Sequence, residues 1–262
     1  MIIDAHSHVH QPVAEHIRLL DEAGIDRTVL FPTRAHPERA TNLPELREEL
    51  ALLTGALGGT ATAQDAFTRT LAELDDALAA HPDRFVGFGS VRLDLPAKDI
   101  EAAVDREIVG RKLRGIGELT PPPDGAGRIE PVLRAALDYG GLPVVVHGYA
   151  PTTAGDLRTL ADLARRYPGV PLVVSQLGGQ HWLDAIELVR EHPSMYLELS
   201  TPVVAFAVRA AIEALPERTL FGSDAPYGDP VLARRTVERA TKQGEVRERV
   251  LGGTLALLLG LV

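Results

Sequence analysis

The chain has 262 residues, of which 27 are basic and 36 acidic, for a net charge of −9. That balance argues against nucleic acid as the main partner and shows no polybasic patch for a membrane surface. There is no cysteine, so disulfides and zinc–thiolate sites are excluded, and any bound metal must use His, Asp or Glu. Residues are 45% hydrophobic and 24% charged, as expected of an ordinary soluble domain. No apolar run approaches the roughly 20 residues of a membrane span. The start lacks a basic n-region and a long apolar h-region, so the expected location is cytoplasmic.

The chain opens with an apolar run, Met1 to Ile3, leading into Asp4-Ala5-His6-Ser7-His8. In a β-strand, residues two apart share a face, so His6 and His8 project together as a pair of metal ligands would. Val13 to Ala23 reads as a helix closed by Gly24, and Ile25 to Pro32 as a second strand. The stretch from Thr33 to Gln64 is long and irregular, with Pro37, Pro44 and the Gly55-to-Thr60 segment, and has room for a short helix over 46–53. A connection of that length fits a lid or binding loop better than a plain linker.

From there helix and strand alternate. Helices are expected over 64–80, 99–113, 130–139, 155–167, 182–191, 202–215 and 230–241, with an amphipathic helix over 245–259 at the end. Strands are expected over 84–91, 115–119, 142–147, 171–176, 195–200 and 219–223. The third strand is entered through Pro82-Asp83-Arg84-Phe85, and Pro143-Val144-Val145-Val146 reads as the clearest buried strand. Eight strands each followed by a helix, nearly continuous in apolar character, predict an α/β fold, a (β/α)8 TIM barrel, spanning 1–262 as one domain. It would carry a lid-like insertion after strand 2 and an extra C-terminal helix. A doubly wound sheet is the competing fold, but it would place a glycine-rich phosphate loop where this chain has His-Ser-His.

In a barrel of this kind, chemistry gathers at the C-terminal ends of the strands. Those ends offer His6 and His8, then Glu118, His147, Gln176 and Asp224. Singly, His147 could be a buried, hydrogen-bonded histidine, Asp224 a turn residue before Ala225-Pro226, and Glu118 a loop charge. Jointly, three histidines and a carboxylate on one rim form a ligand set for a divalent ion such as zinc.

These motifs resemble the amidohydrolase superfamily, and within it the amidohydrolase-2 group that includes aminocarboxymuconate-semialdehyde decarboxylase-like enzymes. The likeness spans the chain. It rests on Asp4-x-His6-x-His8, on Pro82-Asp83-Arg84-Phe85, on His147, on Leu177-Gly178-Gly179 and on Phe221-Gly222-Ser223-Asp224. It implies one divalent metal, zinc by expectation, held by His6, His8, His147 and Asp224 with water. Where the family carries a strand-6 histidine this chain has Gln176, which cannot shuttle protons but can donate a hydrogen bond. A strand-4 carboxylate bridges two metals in some binuclear relatives, so Glu118 is a candidate for a second metal. One metal is the expectation, with Glu118 touching substrate.

The leading expectation is a metal-dependent hydrolase of a small ester, lactone or amide. In it Asp224 accepts the water proton, and Gln176 steadies the oxyanion. The alternatives are a non-oxidative metal-dependent decarboxylase and a barrel that only binds a ligand. Candidate contacts to a small-molecule substrate are Arg34, Tyr149, Trp182 and Tyr227, with His36 and Arg39 as further basic residues and His181 a lesser candidate. The apolar residues Leu251, Leu255, Leu258 and Leu259 could cap the barrel or join two copies in a homodimer.

Overall fold

A computed structural model describes residues 1–57 and 64–261. Eight parallel strands pair in sequence order: β1 (Ile3–His8), β2 (Arg27–Phe31), β3 (Phe85–Gly89), β4 (Gly115–Leu119), β5 (Val144–Val146), β6 (Leu172–Val174), β7 (Met195–Glu198) and β8 (Thr219–Leu220). The sheet curls back on itself. Ala5 N donates to Phe221 O (2.8 Å) and Asp224 N to His6 O (2.7 Å), and Ser7 bridges Ala225 in parallel. This is the expected (β/α)8 barrel.

The helices that follow the strands are α1 (Val13–Ala23), α2 (Leu43–Leu57), α3 (Gln64–Ala80), α4 (Ala97–Ala103), α5 (Glu130–Asp138), α6 (Ala154–Arg166), α7 (Trp182–Glu191), α8 (Ala205–Ala214) and α9 (Pro230–Ala240). Two short helices, α10 (Glu245–Glu248) and α11 (Thr254–Leu258), end the chain. No helix among the described residues is long and apolar enough to cross a membrane.

The structure departs from the sequence expectation in three places. The segment after β2 is more helical than expected, because Pro44 falls in the first turn of α2, where no backbone N–H is required. Residues 58–63 of the expected irregular stretch lie outside the described residues. Strand β8 is shorter than expected because the chain leaves β7 after Leu220, and Phe221 N turns to Val250 O instead (2.9 Å). The single C-terminal helix is broken by a wider turn at Arg249–Gly253. There Gly252 passes so close to β1 that a Cβ would meet Met1 O at 2.6 Å.

Two layers of apolar packing follow from strand alternation. One set of side chains faces the helices. The other fills the barrel: Ile3, Ala5, Val29, Phe31, Val86, Phe88, Val145, Val173 and Leu220, sealed below by Leu255 and Leu259. The C-terminal residues therefore plug the barrel floor. The pairing of β1 with β2 slips between Asp4 and Ser7. That irregularity lets Ala5 join the interior cluster while the ring of His6, the next residue, packs edge-on against Phe31 at 5.1 Å.

Phe31 is fully buried and also meets Phe88 edge-on at 5.6 Å, so it supports the histidine pair from below. Phe31→Ala should lower unfolding free energy by about 3–5 kcal/mol, read from a urea midpoint. A loss under about 1 kcal/mol would mean that the layer collapses to fill the space.

On the outer side of β1, buried Ser7 and His16 are joined, Ser7 Oγ to His16 Nε2, at 2.9 Å. Burial, reinforced by His10, pulls the His16 pKa down to about 3, so it stays neutral in the fold. The unfolded chain protonates it near 6.5 while the folded chain does not. Its stabilising contribution is therefore complete above pH 6.5 and is lost progressively as pH falls towards 3. Between pH 6.5 and 5 this residue should cost about 2 kcal/mol of stability. In His16→Gln that part of the acid slope should vanish from urea titrations at the two pH values; an unchanged slope would refute the assignment.

Candidate metal centre and substrate cavity

The C-terminal ends of the strands open into a cavity of about 330 Å³. His8, Glu118, His147, Gln176 and Asp224 line it, together with Thr33, Arg34, Leu53, Phe67, Val91, Leu93, Tyr149 and Tyr227. Leu53 comes from α2 and Phe67 from α3, so the insertion after β2 supplies a wall of the cavity.

At the floor, His6 Nε2 and His8 Nε2 lie 3.2 Å apart. Asp224 Oδ1 stands 3.5 Å from the first and 3.4 Å from the second. Glu118 Oε2 follows at 3.8 and 3.9 Å. Ligands about 2.1 Å from a common ion are separated by about 3.0–3.5 Å, so the three nearer atoms fit one divalent metal. Asp224 Oδ1 is buried and has no hydrogen-bond donor, which leaves a lone pair for such an ion. The electrostatics agree. Burial opposes charge on His6, yet Asp224, Glu118 and Glu198 outweigh it and raise its pKa to about 10. The pocket is thus built for positive charge.

Two of the three side chains, His6 and Asp224, are held from behind. His6 Nδ1–H donates to Glu198 Oε2 at 2.9 Å, which leaves Nε2 with its lone pair towards the floor. Asp224 Oδ2 accepts from Gln176 Nε2 (3.1 Å) and Thr201 Oγ1 (2.9 Å). Asp4 lies beneath and accepts from His6 N, Ser223 N and Ser223 Oγ, tying β1 to the β8 end. Burial pushes its carboxyl up to about 7, against the pull of those donors.

His147 is not one of the three side chains grouped around the ion position: its Nδ1 lies 3.1 Å from Glu118 Oε1 and its Nε2 lies 3.2 Å from Ala150 O. Glu118 turns its other oxygen, Oε2, towards the two β1 histidines. Gln176 is also more constrained than an oxyanion donor needs to be. Its Oε1 accepts Tyr149 N (3.1 Å), its amide bonds Asp224, and its backbone φ is +51°.

Among the loop residues, Arg34, Tyr149 and Tyr227 line the cavity. Trp182 does not: it begins α7 and packs edge-on against Phe206 at 5.7 Å. His181 is partly exposed and faces Asp184 at 3.9 Å. His36 is held between Glu38 (3.0 Å) and Glu73 (3.1 Å), and Arg39 also faces Glu73. Glu198, fully buried, was missed by sequence reasoning. It ends β7, and extending the survey of strand ends to Leu197-Glu198-Leu199 would have found it.

An eight-stranded barrel with two histidines from β1 and an aspartate after β8 around one ion site defines a metal-dependent barrel enzyme of the amidohydrolase type. The chain belongs to the amidohydrolase family (Amidohydro_2), whose model matches residues 3–261. No curated protein sequence matches it. Similar solved structures include 5-carboxyvanillate decarboxylase from Sphingomonas paucimobilis, with 18% identity and a TM-score of 0.72 over 99% of this chain and 98% of that one. Dihydroxybenzoic acid decarboxylase from a Polaromonas species, with bound manganese and 2-nitroresorcinol, has 16% identity and a TM-score of 0.71 over 99% and 97%. 2,6-Dihydroxybenzoate decarboxylase from Rhizobium has 14% identity and a TM-score of 0.67 over 99% and 98%. At these identities the likeness establishes the fold.

Proposed function

We propose that the protein is a metal-dependent, non-oxidative decarboxylase of a small aromatic or unsaturated carboxylic acid. The observation that carries this reading is the pairing of a group of side chains that could hold an ion with a histidine, His147, that lines the same cavity and has an acceptor at each nitrogen. Hydrolysis needs a group to take a proton from water, whereas decarboxylation needs one to give a proton to carbon. The bond from carbon to carboxylate breaks, carbon dioxide leaves, and the electron pair left on carbon takes a proton. His147, with an acceptor at each nitrogen, is the floor group holding a proton to give.

A divalent ion in this site supplies charge neutralisation and Lewis-acid polarisation for the bound acid. His6, His8 and Asp224 would hold it, with Glu118 as a fourth donor. Two imidazoles and two carboxylates are a harder set than the three imidazoles and one carboxylate expected from sequence, and such oxygen-rich sets suit manganese, the ion bound in the similar Polaromonas structure. Leu53, Phe67, Val91 and Leu93 give the cavity apolar walls suited to a ring and keep water from the reacting carbon. The similar solved structures are decarboxylases of aromatic acids, which supports the same reaction class.

The test is a paired assay on manganese-loaded and zinc-loaded protein. Carbon dioxide release from a panel of hydroxybenzoates and unsaturated acids is the expected result. Acid release from esters, lactones or amides without carbon dioxide would overturn the reading and restore hydrolysis.

A further inference from the structure

The loop after β2 presents one cation that the rest of the fold leaves alone. Thr33 and Ala35 are fixed on either side of Arg34: Tyr227 OH lies 3.4 Å from Thr33 Oγ1 and donates to Ala35 O at 3.3 Å, and Thr33 Oγ1 also accepts Ala35 N at 3.3 Å. Tyr227 in turn stands edge-on to the metal-site residue His8, with ring centroids 5.5 Å apart. One residue further on, His36 N donates to Glu49 of α2 at 2.7 Å, while its ring is held by Glu38 and Glu73. The backbone around Arg34 is therefore anchored to the floor of the site and to the insertion helices. Its guanidinium, by contrast, has no ion pair or side-chain hydrogen bond among the described residues.

Arg34 is half-buried and lines the cavity. Desolvation is the influence on its charge, and it acts to pull the pKa down with no carboxylate to offset it. Two other cations nearby are accounted for. Arg92 is bound to Asp94 (2.6 Å), and Arg39 faces Glu73. Arg128, an exposed residue on the cavity lining, likewise forms no ion pair among the described residues. A guanidinium held on a fixed turn, partly stripped of water and without a protein anion, is arranged to receive a carboxylate from a ligand.

We infer that Arg34 binds a second carboxylate of the substrate, assisted by Arg128 at the cavity lining, so that the protein takes a small dicarboxylic acid with its reacting end at the metal-site floor. This rests on the decarboxylase reading only for which end reacts; the recognition of the second carboxylate does not depend on it.

Calorimetric titration with non-reacting probes separates the two. Benzoate, isophthalate and terephthalate share a ring and differ in the number and placement of carboxylates, and each is titrated with and without manganese. Wild type should bind one of the dicarboxylates about tenfold or more tightly than benzoate. Arg34→Gln should erase that preference while leaving benzoate within about twofold, Arg34→Lys should retain part of it, and Arg128→Gln should weaken it by a smaller factor. No dicarboxylate preference in wild type, or an equal loss for benzoate and dicarboxylate in Arg34→Gln, would overturn the inference. If the preference holds while no acid in the assay panel releases carbon dioxide, the decarboxylase reading fails and the Arg34 site stands.

Discussion

Replacing His8 with alanine should abolish metal binding and reduce turnover on the order of 10³-fold or more, while leaving the barrel folded. The reason lies in what His8 does and does not touch. Its Nδ1 is buried without a partner, and its Nε2 faces His6, Asp224 and Glu118. No hydrogen bond to the scaffold is lost, unlike at His6, whose ring also satisfies Glu198. The ring does pack near Phe31 and Tyr227, so a modest cost in packing is expected. A clean measurement compares melting temperatures with and without manganese or zinc, beside elemental analysis. At a metal concentration 100 times its dissociation constant, wild type should gain about 2.7 kcal/mol of stability, and His8→Ala should gain none. A variant that still bound one equivalent with the same thermal shift would show that the His6–His8–Asp224 triangle is not the metal site.

The barrel and this triangle were legible in the sequence because both depend on local pattern. Strand alternation puts His6 and His8 on one face, and a (β/α)8 reading brings Asp224 to the same rim however far apart the residues are in sequence. The Phe221-Gly222-Ser223-Asp224 motif acquires a physical meaning only in three dimensions. A Cβ on Gly222 would lie 2.1 Å from Glu198 Oε1, so the glycine makes room for a buried carboxylate. What stayed illegible was side-chain choice within the rim. Whether His147 turns to the ion site or to Glu118 depends on the reach of a carboxylate 29 residues away and on Ala150 O. Trp182 looked like a cavity residue from its position after β6, but the turn through Leu177, Gly178 and Gly179, all with positive φ, delivers it to Phe206 instead. The basic trio of the β2 loop was likewise indivisible from sequence. Only the positions of Glu38 and Glu73 show that His36 and Arg39 are spoken for and Arg34 is not.

Glu198→Gln should weaken metal binding about 10- to 100-fold without removing any ligand. Glu198 is fully buried, and its two oxygens accept four donors: His6 Nδ1 at 2.9 Å, Gln176 N at 3.0 Å, Ser200 Oγ at 2.8 Å and Ser200 N at 2.5 Å. A glutamine offers one acceptor oxygen and an amide that itself donates. If the oxygen stays with His6 and Gln176, the new NH₂ meets Ser200 N–H head-on; if it flips, it opposes His6 and frees the ring to turn. Either way a buried donor loses its acceptor, at a cost of about 1–3 kcal/mol in stability. The two effects can be told apart. A purely structural role would lower the melting temperature of the metal-free protein and leave the metal dissociation constant of the folded fraction unchanged. A role in positioning His6 requires that the dissociation constant itself rise, because the ring no longer presents Nε2 to the ion in a fixed tautomer. Should calorimetry on folded Glu198→Gln give wild-type metal affinity, the orientation of His6 must come from its edge-on packing against Phe31 alone, and the carboxylate behind it would be a structural feature of the β7 end.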